Sequence, residues 1–231
     1  MPDTSSHAVK QNSTRHLAFI ATSYSKQAQG HEMKIIIIGA HGTIGKAVAS
    51  ELAARHEIIR VGRSAGDFQA DISDTTQIRQ LFEKTGKVDA VVVAAGHVHF
   101  GPLATMQEEH FHIGLNDKLM GQVNVAQIAR DYLNDGGSIT LTSGVVGDEP
   151  IRNGASAAMV NAALEGFVRG AAIELPRGLR INVISPGLLE DSVAVFGEYF
   201  RGFETVSSLR VGQAYSRSVE GAQTGQVYRV R

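Results

Sequence analysis

The 231-residue sequence contains no cysteine. That excludes disulfides, thiolate metal sites and cysteine nucleophiles, and it fits a reducing compartment. No apolar run is long enough to span a bilayer, so no membrane-spanning helix is expected. Neither sign of charge is in excess. The 22 basic residues nearly cancel the 23 acidic ones, which points away from nucleic acid or a membrane surface as a general partner. A further absence concerns chemistry: no tyrosine occurs between Tyr132 and Tyr199, and no lysine follows Lys118. What remains is ordinary for a globular chain. Hydrophobic residues make up 43%, and the length suffices for one sizeable domain with a full core.

The most informative stretch runs from Lys34 to Leu52. Four isoleucines, Ile35 to Ile38, read as a strand buried on both faces. Gly39, Gly42 and Gly45 follow at three-residue spacing, and Ile44, Val48 and Leu52 then fall on one helical face. Strand, glycine turn and helix is the setting of a dinucleotide-binding loop. A residue without Cβ allows the tight turn and lets a pyrophosphate reach the backbone, and the free N–H groups of the helix start favour an anion.

Residues 1–32 differ from the rest. They are rich in Ser, Thr, Gln and His and lack a sustained apolar pattern. The run Leu17–Ala21 is too short for a signal-peptide core. A disordered extension, or a start placed upstream of a true one at Met33, is expected, with an organelle-targeting segment as the alternative. The fold is expected to begin at Met33 and to fill 33–231.

Beyond the glycine turn, strands are expected at Glu57–Val61, Val88–Ala95, Ser138–Thr142, Leu179–Ile184 and Gln226–Val230. Helices are expected to about Arg55, after an Asp74 N-cap, over Glu108–Leu133, and over Ala155–Leu175 before Pro176. Asp135-Gly136-Gly137 reads as a turn, and 188–222 as weak helical pieces. This alternation predicts an α/β fold: a doubly wound, Rossmann-like parallel sheet in a three-layer αβα domain, with its ligand at the carboxyl ends of the strands.

With its parts in that order, the chain from Met33 onward resembles the short-chain dehydrogenase/reductase family. The resemblance rests on Gly39-x-x-Gly42-x-x-Gly45, Asp71-Ile72, Ala94-Ala95-Gly96, Thr142-Ser143, Ala162-Ala163-Leu164-Glu165-Gly166-Phe167, Pro186-Gly187 and Thr224-Gly225-Gln226-Val227. It implies that Gly39, Gly42, Thr43, Ile44 and Gly45 meet the pyrophosphate. Asp71 and Ile72 would border the adenine, Ala95 and Gly96 would lie beneath the adenosine ribose, and Pro186 and Gly187 would flank the nicotinamide. NAD binding usually places an acid at the end of the second strand. Here Arg63 and Ser64 stand there, a guanidinium and a hydroxyl suited to a 2′-phosphate, so NADP is the expected cofactor with NAD as the alternative.

The family moves a hydride between nicotinamide and a carbonyl carbon, using a serine and a Tyr-x-x-x-Lys. Ser143 matches the serine. Aligned on the long helix, Ala157 falls at the tyrosine and Asn161 at the lysine. The family's Asn-x-x-Gly in the preceding helix reads Lys118-Leu119-Met120-Gly121. Lys118 is therefore the candidate proton donor, expected to point toward Ser143 and Asn161, with a surface or structural lysine as the plain alternative. His97 and His99 are weaker substitutes, more readily read as loop residues. Tyr199, Glu190 and Asp191 are weak substrate-side candidates, and no metal site is expected. The expected protein is a cytoplasmic NADP(H)-dependent reductase of a small carbonyl compound. It is expected to form a homo-oligomer, dimer or tetramer, with Ala155, Ala157, Ala158, Ala162 and Ala163 of the long helix permitting close packing, either between copies or onto the sheet. The alternative is a catalytically silent dinucleotide-binding protein, a redox sensor or assembly partner.

Overall fold

The computed structural model describes residues 31–231, so the expectation for most of the N-terminal extension falls outside the described residues. Residues Met33–Arg231 form one compact unit. Its centre is β1 (Lys34–Ile38), which pairs in parallel with β2 (Glu57–Gly62) on one side and β4 (Val88–Val93) on the other. Together with β3 (Phe68–Gln69), β5 (Leu133–Thr142), β6 (Arg180–Pro186) and β9 (Val227–Val230), they make a seven-stranded parallel sheet in the order β3-β2-β1-β4-β5-β6-β9. The order reverses between β1 and β4, and a crevice opens at such a switch point beyond the carboxyl ends of the strands.

The isoleucines of β1 explain the layering, because successive strand side chains point to opposite faces. Ile35 and Ile37 pack with Val48 and Leu52 of α1 (Thr43–Leu52) and with Val211, Tyr215 and Val219 of α7 (Ser208–Glu220). Ile36 and Ile38 belong to the opposite core. That core also takes Ile78 and Phe82 of α2 (Thr75–Thr85), Val125 of α4 (Gly121–Ala129), and Val160 and Leu164 of α5 (Ala155–Ala171). Asp74 caps α2 as expected, its carboxylate accepting from the N–H groups of Thr76 and Gln77. Phe82 is fully buried and stacks on Tyr132 with ring centroids 5.4 Å apart. Phe82→Ala is expected to cost ~3–5 kcal/mol in a denaturant melt, from lost burial and the cavity left behind.

The long helix expected over 155–175 ends at Ala171, strand β3 was not expected, and three further segments differ more. The helix predicted over 108–133 ends at Ala129 and is interrupted: α3 (Glu108–Ile113) runs into a π-helical segment (Gly114–Met120) and then into α4. Glycines bracket the widened segment. A Cβ at Gly114 would stand 3.0 Å from Val160, and one at Gly121 would stand 2.8 Å from Ile72, so the segment is seated closely on its neighbours. Strand β5 begins at Leu133, before the expected turn, and its pairing with β4 shifts register between Val88 and Ala90. The segment 188–222 holds short pieces, among them β7 (Leu188–Leu189), α6 (Val193–Phe196) and β8 (Thr205–Val206), and then the 13-residue helix α7. The apolar stripe of α7 is one residue wide, Val211, Tyr215 and Val219, which hid the helix among its serines and arginines.

Candidate active site

The site begins where β1 ends. Gly39 takes φ +84°, and its N–H donates to Val61 O at 2.8 Å, which turns the chain across the end of β2. A Cβ at Gly39 would lie 2.3 Å from Ala94 O, and one at Gly45 would lie 2.0 Å from Gly39 O. Neither position has room for any other residue. Gly42 is the N-cap of α1 and makes no side-chain cap bond, so the first N–H groups of the helix keep their donors free of a capping side chain. In front of this turn is a cavity of about 330 Å³. Gly39, Gly42, Arg63, Ile72, Ala95 and Gly96 line it, as the resemblance implies, and so do His41, His97 and Asp117, which the sequence reading did not assign to it. Thr43, Gly45, Ser64 and Asp71 are not part of its lining, and Ile44, Pro186 and Gly187 line a second cavity instead.

Arg63 stands at the rim of the first cavity, more than half exposed, with its Nε 3.2 Å from Asp71 Oδ2 and a terminal nitrogen 3.5 Å from Asp117 Oδ2. A guanidinium has five N–H donors in a fixed fork, so these two contacts leave donors for another anion. Hydrogen bonds from the Ser73 hydroxyl and N–H hold the Asp71 carboxyl below its usual pKa, and the charges of Arg63 and His97 add to the effect. His97 Nδ1 lies 2.8 Å from Asp117 Oδ2. The histidine thus belongs to the first cavity and not to the substrate side. His99 stacks on His110, centroids 4.3 Å apart. The other oxygen of Asp117 is buried with no hydrogen-bond partner. A close-packed glycine turn with uncapped helix N–H groups, and Gly42 without a side chain on the cavity wall, fits the adenosine diphosphate half of a dinucleotide.

The second cavity, about 190 Å³, adjoins the carboxyl ends of β5 and β6. Phe100, Phe196, Phe200, Val146 and Leu188 give it an apolar wall, and Lys118, Ser143 and Asn161 supply polar groups. Tyr199 packs on Phe100 with centroids 5.7 Å apart, and Asp191 accepts from the Ser208 hydroxyl at 2.6 Å, which leaves both in structural contacts. Ser143 follows β5, and its hydroxyl is 3.4 Å from both Glu165 Oε1 and Ile184 O. Both separations exceed an ordinary O–H···O bond, so the hydroxyl retains capacity for a ligand. Ala157, at the position where the resemblance expects the phenol, packs against Val145 and Val146 and lines this cavity. Tyr215 is on the opposite face of the sheet, bonded to Thr142 Oγ1 at 2.6 Å, and burial pushes its pKa well above the usual phenol range.

Lys118 sits in the π-helical segment and extends across the cleft. Its Nζ donates to Ser143 O at 3.0 Å and to Asn161 Oδ1 at 2.8 Å. Desolvation by burial lowers its pKa to about 8. The two residues that depart from the family pattern on separate helices are therefore hydrogen-bonded partners. The ammonium comes from the earlier helix and the amide from the later one, the reverse of the order the resemblance assigns. An ammonium offers three N–H donors, and two are used here. The third remains for the cavity that Lys118 lines.

A sequence family described as enoyl-(acyl carrier protein) reductase matches residues 18–221. A hydroxynaphthalene reductase-like protein of Metarhizium brunneum is 32% identical over 177 residues, a match covering 66% of this chain and 66% of the relative's length. The crystal structure of the Listeria innocua protein lin1944 is 45% identical, with a TM-score of 0.85 over 86% of this chain and all of that one. A small-chain dehydrogenase in complex with NADPH is 27% identical, with a TM-score of 0.78 over 87% of this chain and 97% of its own.

Proposed function

Because this chain belongs to the short-chain dehydrogenase/reductase family, we propose that it is an NADP(H)-dependent oxidoreductase of a small, apolar carbonyl or alcohol compound, with Lys118 in place of the family's phenol. One observation carries the reading. The glycine turn opens into one cavity, and α1, which starts from that turn, contributes Ile44 to the next, where Lys118 and Ser143 present their polar groups. A two-part ligand lying along the strand ends would have its phosphates at the turn and its reactive end beside Lys118. The bound dinucleotide supplies or takes up the two electrons.

The chain's own residues do the rest. Gly39, Gly42 and Gly45 keep the backbone open to the pyrophosphate, and the N–H groups at the start of α1 face it. Arg63 meets the 2′-phosphate. Ser143 binds the substrate oxygen, and Lys118 holds the proton that this oxygen takes in reduction or gives up in oxidation. Phe100, Phe196 and Phe200 exclude water and favour a flat, uncharged substrate, a preference that the hydroxynaphthalene reductase-like relative supports. Homo-oligomerisation is part of the same reading. Met159 and Ala162 of α5 are exposed, whereas Ala157 is turned inward. No helix among the described residues is long and apolar enough to cross a membrane.

Titration calorimetry with NADPH and NADH, followed by turnover against a panel of aromatic and aliphatic carbonyls, tests the proposal. Tight NADPH binding with turnover supports it. Tight binding without turnover favours the silent binding protein, and no heat with either dinucleotide defeats both. Arg63→Ala is expected to weaken NADPH by roughly tenfold or more while NADH changes little, because a charged hydrogen bond contributes about 1.5–3 kcal/mol. Equal losses for both dinucleotides would remove the assignment of the 2′-phosphate to Arg63.

A further inference from the structure

We infer that Asn161 is a positioning residue, whose amide oxygen fixes the Lys118 ammonium at the Ser143 end of the second cavity and sets how readily that ammonium releases its proton. The inference rests on the reading of Lys118 as the proton donor and adds what tunes it. An ammonium carries no acceptor, so the amide atom 2.8 Å from Nζ must be the oxygen. Asn161 is only 3% exposed and is clasped by two glycines. A Cβ at Gly144 would come within 3.1 Å of its Nδ2, and one at Gly147 within 3.1 Å of its Cβ. The lysine stem is held in the same manner. Gly96, at φ +126°, lets the stem lie flat on the backbone, and a Cβ there would be 2.7 Å from Lys118 Cα and 2.8 Å from its Cβ and Cγ. Both halves of the pair are thus pinned by the absence of side chains opposite them.

The charges around the pair are directed elsewhere. On Lys118's own segment, Asp117 engages His97 from the loop after β4 and Arg63 from the end of β2. On α5, Glu165 engages Arg169 and, from β9, Arg229, both at 3.2 Å, with the Ser143 hydroxyl at 3.4 Å. Among the described residues Lys118 therefore faces two neutral carbonyl acceptors and no carboxylate partner. A carboxylate in place of the amide would hold the proton too firmly, and an apolar side chain would leave the charge unsupported. Two carbonyls stabilise the ammonium only in part, which agrees with a pKa lowered to about 8 by burial.

The test is an NMR titration of the Lys118 amine in cofactor-free full-length protein, with its signal assigned by Lys118→Met. Asn161→Asp, nearly isosteric, is expected to raise the titration midpoint by about one pH unit or more, as an opposite charge within hydrogen-bond reach does. Asn161→Leu is expected to lower it. The limb of the turnover–pH profile at high pH should follow each shift, whereas a merely structural asparagine would lower the rate in both variants and move neither midpoint. Midpoints that stay at the wild-type value, or that move in one direction in both variants, overturn the inference. Should the leucine variant not fold, an unmoved midpoint in the aspartate variant overturns it alone. If the midpoints move as expected and no carbonyl is turned over by wild type, Asn161 keeps its place beside the ammonium and the catalytic reading of Lys118 falls.

Discussion

Replacing Lys118 by methionine is expected to lower carbonyl turnover by ~10²–10⁴-fold, the range for loss of a positioned general acid, with NADPH affinity little changed. Methionine keeps most of the stem that lies on Gly96 and removes only the ammonium, so the first cavity should be undisturbed. Stopped-flow turnover and calorimetry on the same preparation separate the two effects. The pH dependence has a definite sign. Reduction needs the protonated amine, so its rate should fall as pH rises past about 8, while the reverse oxidation needs the free amine and should rise through the same range. Stability moves as well. The folded pKa of about 8 lies below the ordinary lysine value of 10.5, so between them the unfolded chain binds the extra proton and wild-type stability should rise with pH. The methionine variant should lose that rise, which denaturant melts below and above the range would reveal. Wild-type turnover in Lys118→Met would mean that the proton comes from another group, and the proposed chemistry would be wrong.

Gly45→Ala is expected to abolish measurable dinucleotide binding and to lower the thermal melt, because no residue with a Cβ fits the turn. The new methyl would stand 2.0 Å from Gly39 O and 2.7 Å from Ala40 Cα. These are backbone atoms that cannot swing aside, so the turn itself must open. Gly42→Ala is the informative companion. Its Cβ would meet only Gly39 O, at 3.4 Å, and its φ of −73° suits any residue. Its thermal melt should match wild type, while the methyl, on a residue that lines the first cavity, obstructs the pyrophosphate. Calorimetry on this pair separates damage to the fold from damage to the phosphate cradle. Undiminished NADPH affinity in both variants would defeat the assignment of the turn to the nucleotide.

Much of the fold was legible because its causes are local. Four consecutive isoleucines before a glycine turn read as a strand covered on both sides, and β1 divides them between two helical layers. Asp74 announced α2 because an N-cap accepts from N–H groups only two and three residues further along the chain. That Gly39, Gly42, Arg63, Ile72, Ala95 and Gly96 come together was legible, since each belongs to a short motif at a strand end, and all of them line the first cavity. Asp117 and His97 were not assigned to that cavity. Their contact spans 20 residues and joins a loop to a helix, and no periodicity encodes it. Helix α7 was blurred for the opposite reason, a clear but narrow stripe diluted by polar neighbours.

The sequence by itself determined the order of strands and helices, the glycine turn and the lack of a tyrosine between Tyr132 and Tyr199. It could do so because hydrophobic period and the presence or absence of a Cβ act within a few residues. Only the tertiary structure decided that the ammonium of Lys118 and the amide of Asn161, 43 positions apart, meet beside Ser143. It also decided that Ala157 lines the same cavity as Lys118 and Ser143 and that Arg63 is shared between two carboxylates. Those outcomes depend on how helices from distant parts of the chain seat against one sheet, with Gly96, Gly144 and Gly147 admitting the close approach.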